Sequence, residues 1–240
     1  MHFYFIRHAQ STNNALYAAG QGDQARTHDP ALTVLGRQQA ECLADNLARS
    51  NRNVVTDRSD SQNRAGFGLT HLYCSLMVRA VATGAAVAER LGLPLRAWLD
   101  WHEEGGLYLD GDDGQRLPQA GPGRADFARD YPGLLLPEGL DDAGWWNKPF
   151  EEPEDRPLRA RRALAELVQR HGSTDDRVAV ISHGGFYNHL MGALTDQQPP
   201  YRLSYLMNNT GITRVALTPE GHYVVYQNRC DHLEDGMVTY

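Results

Sequence analysis

Arginine and histidine side chains appear at three places where an apolar run of the sequence stops. Arg7 and His8 follow the run HFYFI, Arg79 follows LYCSLMV, and His183 follows VAVIS. A guanidinium group can donate two parallel hydrogen bonds to two oxygens of a phosphate group. A neutral imidazole is a nucleophile that can form a covalent intermediate with phosphorus. These residue types together indicate a site that binds and transfers a phosphoryl group.

Small and polar residues flank these positions. Ser11 and Asn14 follow His8, and they suit either of two roles, capping the next helix or contacting a substrate. Gly184 follows His183 and allows the backbone to approach an anion closely. The residues that we expect to bind the phosphate group are Arg7, Ser11, Asn14, Arg79, His183 and Gly184.

Phosphoryl transfer to water or an alcohol also needs a general acid for the leaving oxygen. The stretch WHEEGG supplies Glu103 and Glu104, whose alternative role is that of a solvated surface pair. His183 and His189 are six residues apart and have no carboxylate or cysteine partner in sequence. We therefore expect neither a metal site nor a cofactor.

Strand-like and helix-like stretches alternate along the chain. This alternation predicts an α/β fold, a three-layer α/β/α sandwich with a mostly parallel central sheet. Because ligands bind beyond the carboxyl ends of parallel strands, the three arginine and histidine positions converge if their strands are neighbours. The predicted strands are HFYFI, LTHLYCS, LPLRAWL, RVAVISH and a hairpin that turns at Pro219, Glu220 and Gly221.

Apolar spacing predicts the buried face of each long helix. A helix capped by Thr33 is expected to bury Gly36, Ala40, Leu43 and Leu47. A second helix, stopped by Gly92, is expected to bury Val78, Val81, Ala82 and Ala85. A third is expected to bury Ala160, Ala163, Leu164, Leu167 and Val168.

Two stretches interrupt this pattern. Residues 51–68 are polar and predict a loop. Residues 105–157 are rich in Gly, Pro, Asp and Trp and predict a lid inserted into a single domain that spans residues 1–240. Trp145 and Trp146 are expected to pack within this lid, with a binding platform as the alternative role.

The bulk composition narrows the function classes. The chain has 240 residues, a net charge of -7 and three widely spaced cysteines. The acidic balance argues against a nucleic-acid partner, the cysteines predict free thiols, and no apolar run is long enough to span a membrane. We expect no signal peptide and a cytoplasmic location, with a small-molecule phosphomonoester as the partner.

Five short stretches together resemble the histidine phosphatase superfamily, in its phosphoglycerate-mutase-like branch. They are RHAQSTNN, LTVLGRQQA, CSLMVRAVAT, HEEGG and ISHGG. The resemblance runs from His2 to about Arg214 apart from the inserted segment. One departure is Ala9, which stands where the family usually has glycine.

The resemblance implies the role of each residue. His8 would be phosphorylated, Arg7, Arg79 and His183 would hold the phosphoryl oxygens, and Glu103 is preferred over Glu104 as the proton donor. The expected function is a metal-independent phosphomonoester hydrolase that acts through a phosphohistidine. The alternatives are a phosphotransferase of the phosphoglycerate-mutase type and a non-catalytic phosphoester-binding domain. The oligomeric state stays open, with a homodimer as one arrangement.

Overall fold

The computed structural model describes residues 1–21, 26–50 and 60–240. Its strands are β1 (His2–Arg7), β2 (His71–Cys74), β3 (Leu95–Ala97), β4 (Tyr108–Asp110), β5 (Arg116–Pro118), β6 (Leu134–Leu135), β7 (Arg177–Ser182), β8 (Ile212–Thr218) and β9 (Gly221–Arg229). Its α-helices are α1 (Thr12–Ala18), α2 (Val34–Ala48), α3 (Val78–Leu91), α4 (Arg124–Asp130), α5 (Asp155–His171) and α6 (Gly184–Leu194).

Seven strands form one sheet in the order β6-β3-β2-β7-β1-β8-β9. The first five run parallel, and β8 and β9 add an antiparallel edge. The predicted α/β class and the hairpin before Gly221 are confirmed. The strands β2, β7 and β1 are neighbours, so their carboxyl ends lie side by side. Of the predicted loop 51–68, residues 51–59 lie outside the described residues, and the remainder is irregular.

Side chains of β1 alternate between two apolar clusters, one on each face of the sheet. Tyr4 and Ile6 join the cluster formed with α2 and α3, whereas Phe3 and Phe5 join the cluster formed with α5 and α6. All four side chains are fully buried. This alternation, with helices covering both faces, builds the predicted three layers.

The start of α2 follows its sequence signals. The Thr33 hydroxyl accepts a hydrogen bond from the Gly36 amide at 2.8 Å, so Thr33 is the N-cap. The predicted buried residues Gly36, Ala40, Leu43 and Leu47 are all buried. Gly92 ends α3 in the left-handed conformation with φ of 63°, as its position predicted.

The predicted buried face of α3 is wrong. Of its four expected residues only Val81 is buried, and the helix instead turns Arg79 and Thr83 inward. The physical reason is that Arg79 and Thr83 make buried hydrogen bonds with the residues that follow β1. Apolar periodicity does not register a polar side chain that is buried for its hydrogen bonds. On α5, Val168 is likewise 39% exposed rather than buried.

Residues 105–157 contain the β4–β5 hairpin, α4 and β6, and β6 pairs with β3 at the edge of the main sheet. Trp145 and Trp146 are buried in the apolar cluster on the α2 and α3 face, which is the packing role. The three cysteine thiols are free, as predicted. No helix in the described part of the chain is both long and apolar enough to cross a membrane.

Gly36 places a strict size limit between α2 and the chain after β1. A Cβ atom at Gly36 would lie 2.0 Å from the carbonyl oxygen of Gln10, which accepts a hydrogen bond from the Thr33 amide. We expect Gly36→Ala to lower the free energy of unfolding by roughly 1–3 kcal/mol, the usual cost of overpacking. Urea unfolding measures this change.

Gly133→Ala is the matched control, because a Cβ atom there meets no other atom within 4 Å. Its unfolding midpoint should stay near that of the wild type. Equal midpoints for Gly36→Ala and the wild type would show that α2 is free to move away from Gln10.

Candidate active site

The carboxyl ends of β1, β2 and β7 place four predicted residues together. Arg7 ends β1 and His8 follows it, His183 follows β7, and Arg79 lies in the first turn of α3 after β2. The imidazole rings of His8 and His183 have centroids 5.1 Å apart. All four side chains are buried. The predicted convergence of the three strand ends is present in the structure.

His8 is held by a hydrogen bond on each ring nitrogen. Its Nδ1 lies 2.7 Å from the carbonyl oxygen of Ala9, and its Nε2 lies 3.1 Å from Nε of Arg79. A carbonyl oxygen only accepts and a guanidinium only donates, so these partners assign the proton to Nδ1 and a lone pair to Nε2. Burial, together with the charges of Arg79 and Arg7, holds the pKa of His8 well below its usual value. His8 is therefore a neutral imidazole at neutral pH.

One ring nitrogen of His183 is held by a serine hydroxyl. Its Nε2 lies 2.6 Å from Oγ of Ser75, and that oxygen also accepts a hydrogen bond from the Met77 amide. A hydroxyl group both donates and accepts, so this contact is compatible with either tautomer of His183. The Nδ1 of His183 is buried and has no hydrogen-bond partner among the described residues. Burial and the charge of Arg79 lower the pKa of His183 well below its usual value.

Arg7 is fixed from two sides. Its Nη1 donates a hydrogen bond to the carbonyl oxygen of Met207, and its guanidinium lies 5.2 Å from the ring centroid of Tyr240. Its Nε is buried without a partner in the described part of the chain. A Cβ atom at Gly184 would lie 3.3 Å from that Nε, so glycine leaves the guanidinium its room. Met207 and Tyr240 carried no sequence signal for this role.

Asp29 is a buried carboxylate behind Arg79 that sequence reasoning missed. Its Oδ1 lies 3.7 Å from Nη1 of Arg79 and accepts a hydrogen bond from the Val78 amide at 3.0 Å. Burial raises the pKa of Asp29 to about 6, although Arg79 and the Val78 amide act in the opposite direction. In the sequence this residue stands among polar neighbours, the pattern of a solvent-exposed turn, and nothing there indicates burial.

Glu103 and Glu104 have different surroundings, so they are not a solvated pair. The Glu103 carboxylate accepts hydrogen bonds from the amides of Gly185 at 3.1 Å and Phe186 at 2.8 Å, and its charge acts on Arg7. It therefore occupies the N-terminal amides of α6, where we expected a phosphate group. Glu104 binds His189 at 2.9 Å and Arg156 at 3.0 Å. The hydrogen bond from His189 is the main cause that lowers the pKa of Glu104.

Ser11 and Asn14 form a reciprocal cap at the start of α1. The Ser11 hydroxyl accepts from the Asn14 amide at 3.3 Å, and the Asn14 side chain accepts from the Ser11 amide at 3.1 Å. Asn14 also accepts a hydrogen bond from Asn209, whose amide group donates to the carbonyl oxygen of His8 at 3.1 Å. The capping role is thus present, and Asn209 is a further site residue that the sequence analysis did not identify.

The backbone around His8 is pinned by neighbouring loops. Ala9 is buried, its amide donates to the Thr83 hydroxyl at 3.0 Å, and its φ is not positive. Alanine in place of the family's glycine therefore introduces no backbone strain. Thr210 has φ of 58°, an unusual value for a β-branched residue, and its amide donates to the carbonyl oxygen of Arg7 at 3.1 Å.

Comparison with known proteins agrees with this geometry. Residues 3–229 match the family model of the histidine phosphatase superfamily (branch 1). The chain belongs to the histidine phosphatase superfamily. No curated protein matches it in sequence.

Solved structures share the fold at low sequence identity. A phosphoserine phosphatase from Entamoeba histolytica, in complex with phosphoserine, is 16% identical with a TM-score of 0.62, and the match covers 97% of this chain and 99% of that one. A mycobacterial glucosyl-3-phosphoglycerate phosphatase in complex with VO3 is 23% identical with a TM-score of 0.54, covering 90% and 92%. The alpha-ribazole phosphatase of Shigella flexneri is 15% identical with a TM-score of 0.60, covering 96% and 97%.

The buried neutral histidines make the stability of the protein depend on pH. Burial lowers the pKa values of His8, His102 and His183 well below those of the unfolded chain. Below about pH 6.5 these histidines bind protons in the unfolded state but stay neutral in the native state. The free energy of unfolding therefore falls by about 1 kcal/mol per pH unit for each histidine. We expect His8→Asn to reduce this slope by about one histidine's share.

The slope is measured by urea unfolding from pH 7 down to pH 5. Asp29, with its raised pKa, acts in the opposite direction, because the native state binds its proton more tightly than the unfolded state does. The comparison between variants therefore isolates His8. His222→Asn, at an exposed position on β9, is the control. An unchanged slope in His8→Asn would mean that His8 binds its proton in the native protein as it does in the unfolded chain.

Proposed function

We propose that this protein hydrolyses small phosphomonoesters through a phosphohistidine intermediate on His8. The observation that carries the proposal is the pair of hydrogen bonds to His8. They leave a neutral ring with a lone pair on Nε2, beside the guanidinium of Arg79. A neutral imidazole attacks phosphorus, and the adjacent cation stabilises the phosphoryl oxygens as their charge redistributes.

The reaction has two displacements. In the first, Nε2 of His8 forms a bond to phosphorus while the bond from phosphorus to the ester oxygen breaks, and that oxygen takes a proton from Glu103. In the second, water forms a bond to phosphorus, the bond from phosphorus to Nε2 breaks, and Glu103 accepts a proton from the water. The products are an alcohol and inorganic phosphate, and Glu103 is protonated again.

The phosphoryl oxygens are bound by side-chain nitrogen atoms that otherwise lack partners. The Nε of Arg7 and Nδ1 of His183 are buried without a hydrogen-bond partner in the described residues. The Nε of a guanidinium always carries a proton, and Nδ1 of His183 donates in the tautomer in which the Ser75 hydroxyl donates to Nε2. Arg79 supplies the third donor group. Ser11, Asn14 and Gly184 line the same end of the sheet, where they contact the substrate in addition to their structural roles.

Glu103 suits the role of proton donor better than Glu104. Its charge acts on both arginines of the pocket, whereas Glu104 is engaged by His189 and Arg156. Three backbone amides, those of Glu104, Gly185 and Phe186, hold the Glu103 carboxyl group in place beside the pocket.

The reaction needs no metal, since two arginines and a histidine supply the positive charge and the donors. Residues 105–157 act as the lid that selects the substrate. Support comes from Arg26, whose guanidinium lies 4.4 Å from the ring centroid of Tyr108 in the β4–β5 hairpin and whose charge acts on Arg79. Three free thiols and a net charge of -7 fit a cytoplasmic enzyme with no nucleic-acid or membrane partner.

The phosphohistidine is directly testable. We expect rapid-quench labelling with a generic 32P-phosphomonoester to give alkali-stable, acid-labile label on His8, together with steady release of phosphate. His8→Ala should lose both while its circular dichroism stays that of a folded protein, and His222→Ala should retain both. Chelation by EDTA should leave phosphate release unchanged.

The other outcomes separate the alternative functions. Label without phosphate release would indicate a phosphotransferase that lacks its acceptor. Normal turnover by His8→Ala would refute the mechanism. Folded wild-type protein that binds vanadate but forms neither label nor product with any phosphomonoester would indicate a phosphoester-binding domain.

The two glutamates are distinguished by the leaving group. We expect Glu103→Gln to slow the hydrolysis of alkyl phosphates by about 10²–10⁴-fold, the usual contribution of a general acid. Its effect should be much smaller with p-nitrophenyl phosphate, because that leaving group departs without a proton. Glu104→Gln is the matched control and should alter both substrates equally. A larger leaving-group effect in Glu104→Gln would transfer the role to Glu104.

A further inference from the structure

A second cluster of histidine and carboxylate side chains lies at the opposite end of the sheet from His8. His71 begins β2, His171 ends α5, and Asp176 immediately precedes β7. One potential ligand atom from each residue lies within 4.8 Å of the other two. The length of β7, six residues or roughly 20 Å, separates Asp176 from the end that carries His183.

The distances inside the cluster approach those of a metal site. Nδ1 of His171 lies 2.8 Å from Oδ2 of Asp176, and Nδ1 of His71 lies 3.7 Å from Oδ1 of the same carboxylate. Zinc bonds of 2.0–2.1 Å place tetrahedral ligand atoms roughly 3.3 Å apart. The side chain of His71 is 34% exposed and that of His171 is 5% exposed. His71 therefore has the freedom to close the remaining distance onto a fixed partner.

The surroundings orient the buried histidine for this role. The Tyr73 hydroxyl lies 3.1 Å from Nε2 of His171, on the side of the ring away from Asp176. A metal-bound histidine characteristically donates its second N–H to such a partner, which fixes the ring. On the other histidine, the Thr70 hydroxyl lies 2.9 Å from Nδ1 of His71, and a metal ion would displace it.

We propose that His71, His171 and Asp176 bind a divalent transition-metal ion, with zinc as the best match. Two imidazoles and one carboxylate are the donor set that zinc takes in three-ligand sites, with water as the fourth ligand. When zinc binds Nδ1 of His171, the proton of the neutral ring lies on Nε2 and is donated to the Tyr73 hydroxyl. The ion joins β2, α5 and the start of β7, so its role is to stabilise the fold. The reaction at His8 does not involve it.

The test is zinc titration of EDTA-treated, dialysed full-length protein by isothermal calorimetry. We expect the wild type to bind one zinc ion at this site, and thermal unfolding to shift upward with zinc. His71→Ala and Asp176→Asn should weaken binding by more than about 100-fold, and Tyr73→Phe by about 10–100-fold.

Two controls separate this site from others. His222→Ala should bind zinc as the wild type does, because it removes only an exposed histidine. His8→Ala should also retain this zinc ion. If the zinc were bound by the histidines of the active site, His8→Ala would lose it. Asp176→Asn, which is nearly isosteric, keeps the test decisive if His71→Ala does not fold. Wild-type affinity in Asp176→Asn, loss of binding in His8→Ala, or no binding by the wild type would each overturn the proposal.

Discussion

The hydrogen bond from Arg79 to His8 is the interaction on which the rest of the site depends. It places a buried positive charge against an imidazole, and the imidazole must stay neutral for that contact to persist. Burying a guanidinium is costly unless it is paired. Asp29 supplies the counter-charge on one side, and Glu103 acts on the same cation from another direction. The buried positive charge in the walls of the pocket is thus balanced by carboxylates, while hydrogen-bond donors face the centre of the pocket.

The order of the strands in the sheet brings the residues of the site together. Because β7 lies between β2 and β1, the residue after β7 is adjacent to the ends of both neighbours. The antiparallel strand β8 closes the other side of β1, and the loop before it supplies Asn209 and Thr210 to the backbone of Arg7 and His8. The positive φ of Thr210 is maintained at this point because the hydrogen bonds around it fix the loop.

The sequence predicted correctly those features that depend on local residue patterns. The cap at Thr33 and the stop at Gly92 have short-range signals and lie where they were predicted. The strands β1 and β7 end within one residue of the predicted positions. The sequence did not predict which side chains are buried because they make polar contacts. The face of α3 was misassigned because Arg79 and Thr83 point inward for hydrogen bonds rather than for apolar packing. Asp29, Asn209 and Tyr240 reach the site through contacts across the fold, which periodicity does not encode.

Glu103 is held in place by a helix of the fold, a contact that the sequence motif alone did not indicate. Its carboxylate receives the first free amides of α6, the helix that begins directly after His183. The positive end of a helix stabilises a carboxylate at this position, so the helix fixes the distance between this acid and the histidine. The proton donor of the proposed mechanism is therefore held by the start of a helix that lies outside residues 105–157. In that proposal, substrate selection and proton transfer belong to separate parts of the chain.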